Sequence, residues 1–257
     1  MRFRSRTHAG FEKEKIMRLD ICIFDKFSLK SREYARTLIK NGDVSVNGVT
    51  VKKAGFEVNG NEDISVNDSL RYVSRGGLKL EKAICSFGIT VNGKVALDIG
   101  ASTGGFTDCL LQNGASKVFA CDVGHGQLAE KLKNDSRVIN LEGTHINSLS
   151  PDTVGKAEVI TCDVSFISLK LVLPHIKKFA GPDCDIVCLF KPQFEYGKKV
   201  KNGVIKDENI HKQLLDDFIA FAQSEGFEVV KTDVSPILGG DGNREFLLYL
   251  KPEITQL

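Results

Sequence analysis

A chain of 257 residues, 42% hydrophobic and 26% charged, has the size and composition of a globular protein with room for a large domain and a small one, which excludes the disordered and fibrous classes. No uninterrupted apolar run approaches the roughly 20 residues that a membrane-spanning helix needs. Residues 1–16 (MRFRSRTHAGFEKEKI) lack the apolar centre of a secretory signal and read as an extension upstream of Met17. The net charge of +2 conceals a division, since residues 1–80 hold 16 Lys and Arg against 10 Asp and Glu, while the remainder holds 19 against 23. A basic piece on a mildly acidic body suits a small part that meets a polyanion. The seven cysteines form no C-x-x-C pair and sit mostly in apolar runs, as reduced thiols of a cytoplasmic protein do.

The first elements belong to the basic piece. Within Ser28–Lys40, residues Tyr34, Ala35, Leu38 and Ile39 share one helical face, and Gly42 is suited to ending the helix. Val44-Ser45-Val46-Asn47-Gly48-Val49-Thr50-Val51 then alternates around Asn-Gly, a hairpin signal. This patterning alone also fits a solvated module whose charges only keep it soluble. The order of elements adds to it: Arg18-Leu19-Asp20 followed by SLKSREYARTLIKNGDVSVNG resembles, over residues 17–64, the small RNA-binding domain named after ribosomal protein S4. That resemblance implies phosphate contacts from Arg18, Lys30, Arg32 and Arg36, and Arg75, outside the resembling segment, is a further RNA-binding candidate. Residues 65–78 read as a linker and 79–257 as the second domain.

The second domain carries LDIGASTGGFTDC, an apolar strand feeding a glycine-rich turn and then a helix. Ser102 stands where a dinucleotide fingerprint needs its second glycine, and no lysine follows as a phosphate-cradling loop requires. A ligand with an amino acid and a nucleoside but no phosphate fits better, which points to S-adenosylmethionine. Gly100, Ala101, Ser102, Thr103, Gly104, Gly105 and Phe106 would form its loop, with Asp98 attracting the ammonium directly or through water. Val118–Asp122 is another apolar run ending in an acid, and Asp122 is placed to accept from ribose hydroxyls.

A third run ends at Asp163 and continues Val164-Ser165-Phe166, without the proline pair with which methyltransferases of base amino groups grip a flat base. A fourth delivers Lys191 at its end. Burying an ammonium is costly unless it is paired, so Lys191 either snorkels to solvent or serves as a general base, desolvated beside another cation. Glu245 opens the last apolar strand and Lys79 opens the first helix, with Lys82 a competing lysine that reads as solvent-facing. The five histidines lack metal-ligand spacing.

Six motifs in order, VSRGGLKL, LDIGASTGGFTD, CDVGHGQL, CDVSFISL, FKPQFE and GNREFLLYL, resemble the TlyA family of FtsJ-like ribose 2′-O-methyltransferases, also known as hemolysin A. The resemblance implies a doubly wound, Rossmann-like α/β domain with an antiparallel last strand behind a small α/β RNA-binding domain. It also implies a catalytic tetrad of Lys79, Asp163, Lys191 and Glu245, in which Asp163 and Glu245 hold Lys191 and Lys79 is the neighbouring cation. The implied acceptor is a cytidine 2′-hydroxyl in the rRNA of ribosomal subunits, and a monomer is the default assembly. Two departures bear on this: Gly143-Thr144-His145 stands where the family carries Arg-Thr-Asn, and Tyr72 where it carries Trp. His125 reads as a loop residue over the ribose. The rival readings are a non-catalytic RNA-binding assembly factor and a hemolysin acting on membranes, which would call for a strongly amphipathic basic helix or a lipid anchor.

Overall fold

The computed structural model describes residues 16–29, 31–66, 71–197 and 203–253. The chain divides into two compact units between residues 70 and 71. The small unit runs β1 (Met17–Arg18), α1 (Leu19–Lys26), α2 (Arg32–Asn41), β2 (Val44–Val46), β3 (Val49–Thr50), β4 (Glu57–Val58) and β5 (Ile64–Val66). Ser31 caps α2 by accepting from Tyr34 N at 3.0 Å, and Gly42 closes it in the left-handed conformation. The β2–β3 hairpin turns at Asn47-Gly48, and β5 pairs with the other side of β2. Leu19, Ile23, Ala35, Leu38 and Ile39 form the core of this unit with 0% exposure each, so α1 and α2 supply most of what it buries.

The large unit runs α3 (Gly76–Phe87), β6 (Val95–Ile99), α4 (Gly105–Gln112), β7 (Lys117–Asp122), α5 (Glu130–Lys133), β8 (Val138–Glu142), α6 (Pro151–Val154), β9 (Ala157–Cys162), α7 (Leu169–Ile176), β10 (Ala180–Phe190), α8 (Pro192–Glu195), α9 (Glu208–Ser224), β11 (Phe227–Val234) and β12 (Phe246–Pro252). One seven-stranded sheet has the order β8-β7-β6-β9-β10-β12-β11. Pairing is parallel from β8 to β10, and β12 runs antiparallel to both of its neighbours.

The central strands are apolar on both faces, as a sheet covered by helices on each side requires. Along β6, Ala96 packs with α3 and α4, while Leu97 and Ile99 pack with α7 and α9. Residues 71–75, part of the segment expected to link the domains, fold with the large unit. Val73 N donates to Asp108 Oδ2 at 2.8 Å, and Gln112 Nε2 donates to the Arg71 carbonyl. No helix among the described residues is long and apolar enough to cross a membrane.

Candidate active site

The strand order reverses at β6, with β7 on one side and β9 on the other, and a sheet of this kind opens a crevice beyond the carboxyl ends of those strands. Gly100 leaves β6 with φ +81°, and a Cβ there would drive into the Asp163 carbonyl, so glycine lets the two loops close together. Gly100 N and Ala101 N both donate to the Cys121 carbonyl, and Asp163 N donates to that of Ile99 at 2.9 Å. Asp122 ties the next loop in, accepting from Ser102 N at 2.8 Å and Gly124 N at 2.7 Å.

Two cavities open at this crevice. The larger, of about 560 Å³, is lined by Asp122, Gln127, Thr144, Ile146 and Phe166, and its described lining includes two carboxylates but no Lys or Arg. The smaller, of about 270 Å³, is lined by Arg75, Lys79, Thr103, Phe106 and Lys191. Gly100, Ser102, Asp163 and Ser165 line both, so they form the wall shared by an anionic chamber and a cationic cleft.

Four distant residues of the expected tetrad form two ion pairs. Lys191 Nζ lies 2.6 Å from Asp163 Oδ1, off the hydrogen-bond angle, and donates to Ser165 Oγ at 2.8 Å. Lys79 Nζ donates to Glu245 Oε2 at 2.5 Å. Glu245 therefore reaches Lys79 rather than Lys191, which corrects the expected partnership. The reason is topological: β12 brings Glu245 up behind α3, where it is 3% exposed and lines neither cavity. Asn243 fastens the turn before it, its side chain accepting from Ile205 N and donating to the Gly203 carbonyl. Lys82 points elsewhere, to Asp233 at 3.0 Å and the Val234 carbonyl.

Asp98 departs from the expectation that its carboxylate meets an ammonium. It is 0% exposed and accepts from Thr107 Oγ1 at 2.7 Å and Thr161 Oγ1 at 2.8 Å, inside the fold. Burial pushes its carboxyl up to about 6, with the two hydroxyls pulling the other way and the charge of Asp163 adding to the rise. Of the loop residues, Ala101, Thr103, Gly105 and Phe106 line the smaller cavity, whereas Gly104 packs against Leu128 and Leu132. Gly143, with φ +72°, leaves its Cβ space to the His125 imidazole.

Ser165 and Phe166 are legible in the sequence only as the absence of a proline pair, yet both stand at the site. Phe166 is 91% exposed on the rim of the larger cavity, holds φ +65° and lies 5.3 Å from the Phe194 ring. Its exposure and left-handed backbone set Phe166 apart from the packed aromatic residues of the core.

In the small unit, Lys30 lies outside the described residues, and the three arginines expected at phosphates converge on one carboxylate. Arg18 Nε donates to Asp20 Oδ1 at 3.0 Å, and Arg32 Nε and Arg36 Nε donate to Asp20 Oδ2 at 3.1 and 3.0 Å. Burial works to raise the Asp20 carboxyl, but hydrogen bonds from Arg18, Arg36 and Arg32 outweigh it and hold the group well below the usual carboxylate range.

Comparison with known proteins fits this architecture. Residues 72–252 match the family described as FtsJ-like methyltransferase, and residues 17–64 match the S4 domain. The chain is 43% identical to hemolysin A of Brachyspira hyodysenteriae, over 91% of this chain and 99% of that protein. It is 41% identical to the 16S/23S rRNA (cytidine-2′-O)-methyltransferase TlyA of Mycobacterium tuberculosis, over 92% of this chain and 90% of that one. A solved structure from Streptococcus thermophilus, described as a candidate hemolysin, superposes with a TM-score of 0.72 at 40% identity, covering 94% of this chain and 90% of that one. A match to the FtsJ-like methyltransferase family that follows an S4 match in sequence, with likeness over nine-tenths of the chain to these proteins, makes the chain a member of the TlyA family of FtsJ-like methyltransferases.

Proposed function

We propose that this protein transfers a methyl group from S-adenosylmethionine to the 2′-hydroxyl of a cytidine ribose in ribosomal RNA, and that its S4 domain holds that RNA. The observation that carries the reading is that Lys191 and Lys79 both line the smaller cavity, Lys191 paired with Asp163 in the wall shared with the larger one and Lys79 paired with Glu245 behind it. The larger chamber suits the cofactor: its volume is in the range of small-molecule sites, and a lining with carboxylates and no described cation favours a sulfonium over a phosphate. Asp122 would hold the ribose hydroxyls, with Ile146 and Val123 offering apolar surface to the adenine. When bound, S-adenosylmethionine supplies the electrophilic methyl.

The chain's own residues handle the acceptor. Lys191 Nζ, as the neutral amine left when its ammonium has released a proton to solvent, takes the 2′-hydroxyl proton, and the ammonium so re-formed is stabilised by Asp163 at 2.6 Å and donates to Ser165 at 2.8 Å. Lys79, fixed by Glu245, is the second cation of the cleft and orients the ribose oxygens. Arg75, exposed at the rim of the same cleft, meets an adjoining phosphate. The deciding experiment is transfer of labelled methyl to purified small subunits, large subunits and naked rRNA, followed by nucleoside digestion. Label in 2′-O-methylcytidine supports the reading, and label on a base amino group overturns it. Cofactor binding without transfer to any of the three RNAs would favour the non-catalytic assembly factor.

Phe166 gives this site a way to hold the target nucleotide. Its exposed ring offers a stacking surface, and base–aromatic stacking contributes about 1–3 kcal/mol per base. Phe166→Ala is therefore expected to weaken productive RNA binding by about tenfold, raising KM for rRNA, while Phe166→Trp restores most of the loss. An unchanged KM in Phe166→Ala refutes this role.

The relative named hemolysin A prompts a second reading, activity on membranes. Leakage of dye from liposomes checks it directly, and release at concentrations where methyl transfer is saturated would favour it.

A further inference from the structure

The small unit places an acid at the centre of its basic surface. Asp20 is 0% exposed, whereas the side chains of Arg18, Arg32 and Arg36 that enclose it remain 44–47% exposed. Each arginine spends its Nε on the aspartate. Arg18 adds an Nη2 bond at 3.3 Å, and its guanidinium lies against Gly55, where the missing side chain leaves it room. Arg36 Nη1 reaches Glu33 at 3.4 Å. Arg32 touches Asp20 through Nε at 3.1 Å, and among the described residues neither of its outer nitrogens takes part in that ion pair. Three guanidinium groups against one carboxylate leave the cluster with a net charge near +2 from simple counting of these groups.

We propose that Asp20 is a positioning residue for RNA binding, which gathers the three half-exposed arginines into one seat for the phosphate backbone, with the outer N–H groups of Arg32 left for that contact. The proposal rests on the reading that this domain binds RNA. A free arginine carries about 2 kcal/mol of rotamer entropy, which is lost when it grips a phosphate. Anchoring Nε to a buried carboxylate incurs that loss during folding, so less is forfeited on binding. The planar fork makes this possible, because Nε can face inward while the outer nitrogens face a phosphate. A lysine carries its three donors on one nitrogen, so bonding Asp20 draws that same atom away from a phosphate farther out. An acid is thus required for affinity toward a polyanion, the reverse of what net charge alone gives.

The test is equilibrium binding of the full chain to a fluorescein-labelled RNA stem-loop, by anisotropy, over a series of salt concentrations. Asp20→Asn raises the net charge by one yet is expected to weaken binding by about tenfold. The slope of log K against log salt should become shallower by about one for each phosphate that the variant no longer neutralises. Arg32→Lys, which keeps the charge and leaves Asp20 in place, is expected to weaken binding several-fold as well. Binding by Asp20→Asn as tight as wild type or tighter overturns the proposal, as does wild-type affinity in Arg32→Lys. Thermal unfolding identifies loss of the small fold in Asp20→Asn, in which case Arg32→Lys alone decides. If the wild-type chain fails to bind the stem-loop, the RNA-binding reading itself falls and takes the inference with it.

Discussion

Replacing Lys191 with alanine lowers methyl transfer by about 10²–10⁴-fold, the span that a positioned general base contributes, while binding of S-adenosylmethionine is retained. The two effects separate because Lys191 lines the smaller cavity and not the larger. The fold should survive, since the Asp163 side chain left behind is 20% exposed and water can reach it. Lys82→Ala supplies the control: that ammonium pairs with Asp233 and lines neither cavity, so its loss should leave transfer near the wild-type rate. Single-turnover transfer of labelled methyl, with calorimetry of cofactor binding on the same preparations, measures both quantities. Full-rate transfer by Lys191→Ala would falsify its role as base, and equal losses in the two variants would mean that general positive charge, not one positioned amine, carries the effect.

Much of this architecture can be read along the chain because it is local. Alternation around Asn47-Gly48 specifies a hairpin, and the runs ending at Asp98, Asp122 and Asp163 specify strands whose carboxyl ends gather at one crevice. Side-chain direction is less local. Asp98 turns inward because Thr161 on β9, 63 residues away, offers a hydroxyl across the β6–β9 pair, and Thr107 on α4 supplies the other. Glu245 meets Lys79 over a separation of 166 residues, so their partnership depends on where β12 inserts beside β10. Asp20 shows the same limit on a smaller scale: spacings of 2, 12 and 16 residues to its three arginines suggest nothing until α1 and α2 pack together. Motif spacing thus locates the crevice and its chemistry, whereas which acid serves which cation is settled by packing.

Asp98 leads to the second large effect, a dependence of stability on pH. The carboxyl is raised from 3.8 to about 6 in the folded protein, first through burial, so the fold prefers it protonated. Below pH 3.8 both folded and unfolded chains carry the proton, and the preference is without consequence for the slope. Between 3.8 and about 6 the folded chain keeps a proton that the unfolded chain has released, so stability falls as pH rises through that window and then levels off. A rise of this size corresponds to a loss on the order of 2 kcal/mol between pH 4 and 7. Asp98→Asn removes the titration while keeping a polar group beside two hydroxyls that can rotate to donate or accept. Other carboxylates, Asp20 among them, titrate in both proteins, so the difference between variant and wild type isolates Asp98. Urea unfolding across this range should therefore show Asp98→Asn gaining on wild type as pH rises, ending at least as stable near pH 7. Should the variant instead lose ground at neutral pH, the ionised carboxylate would be the form that the fold favours, and a direct role toward the cofactor's ammonium would regain its place.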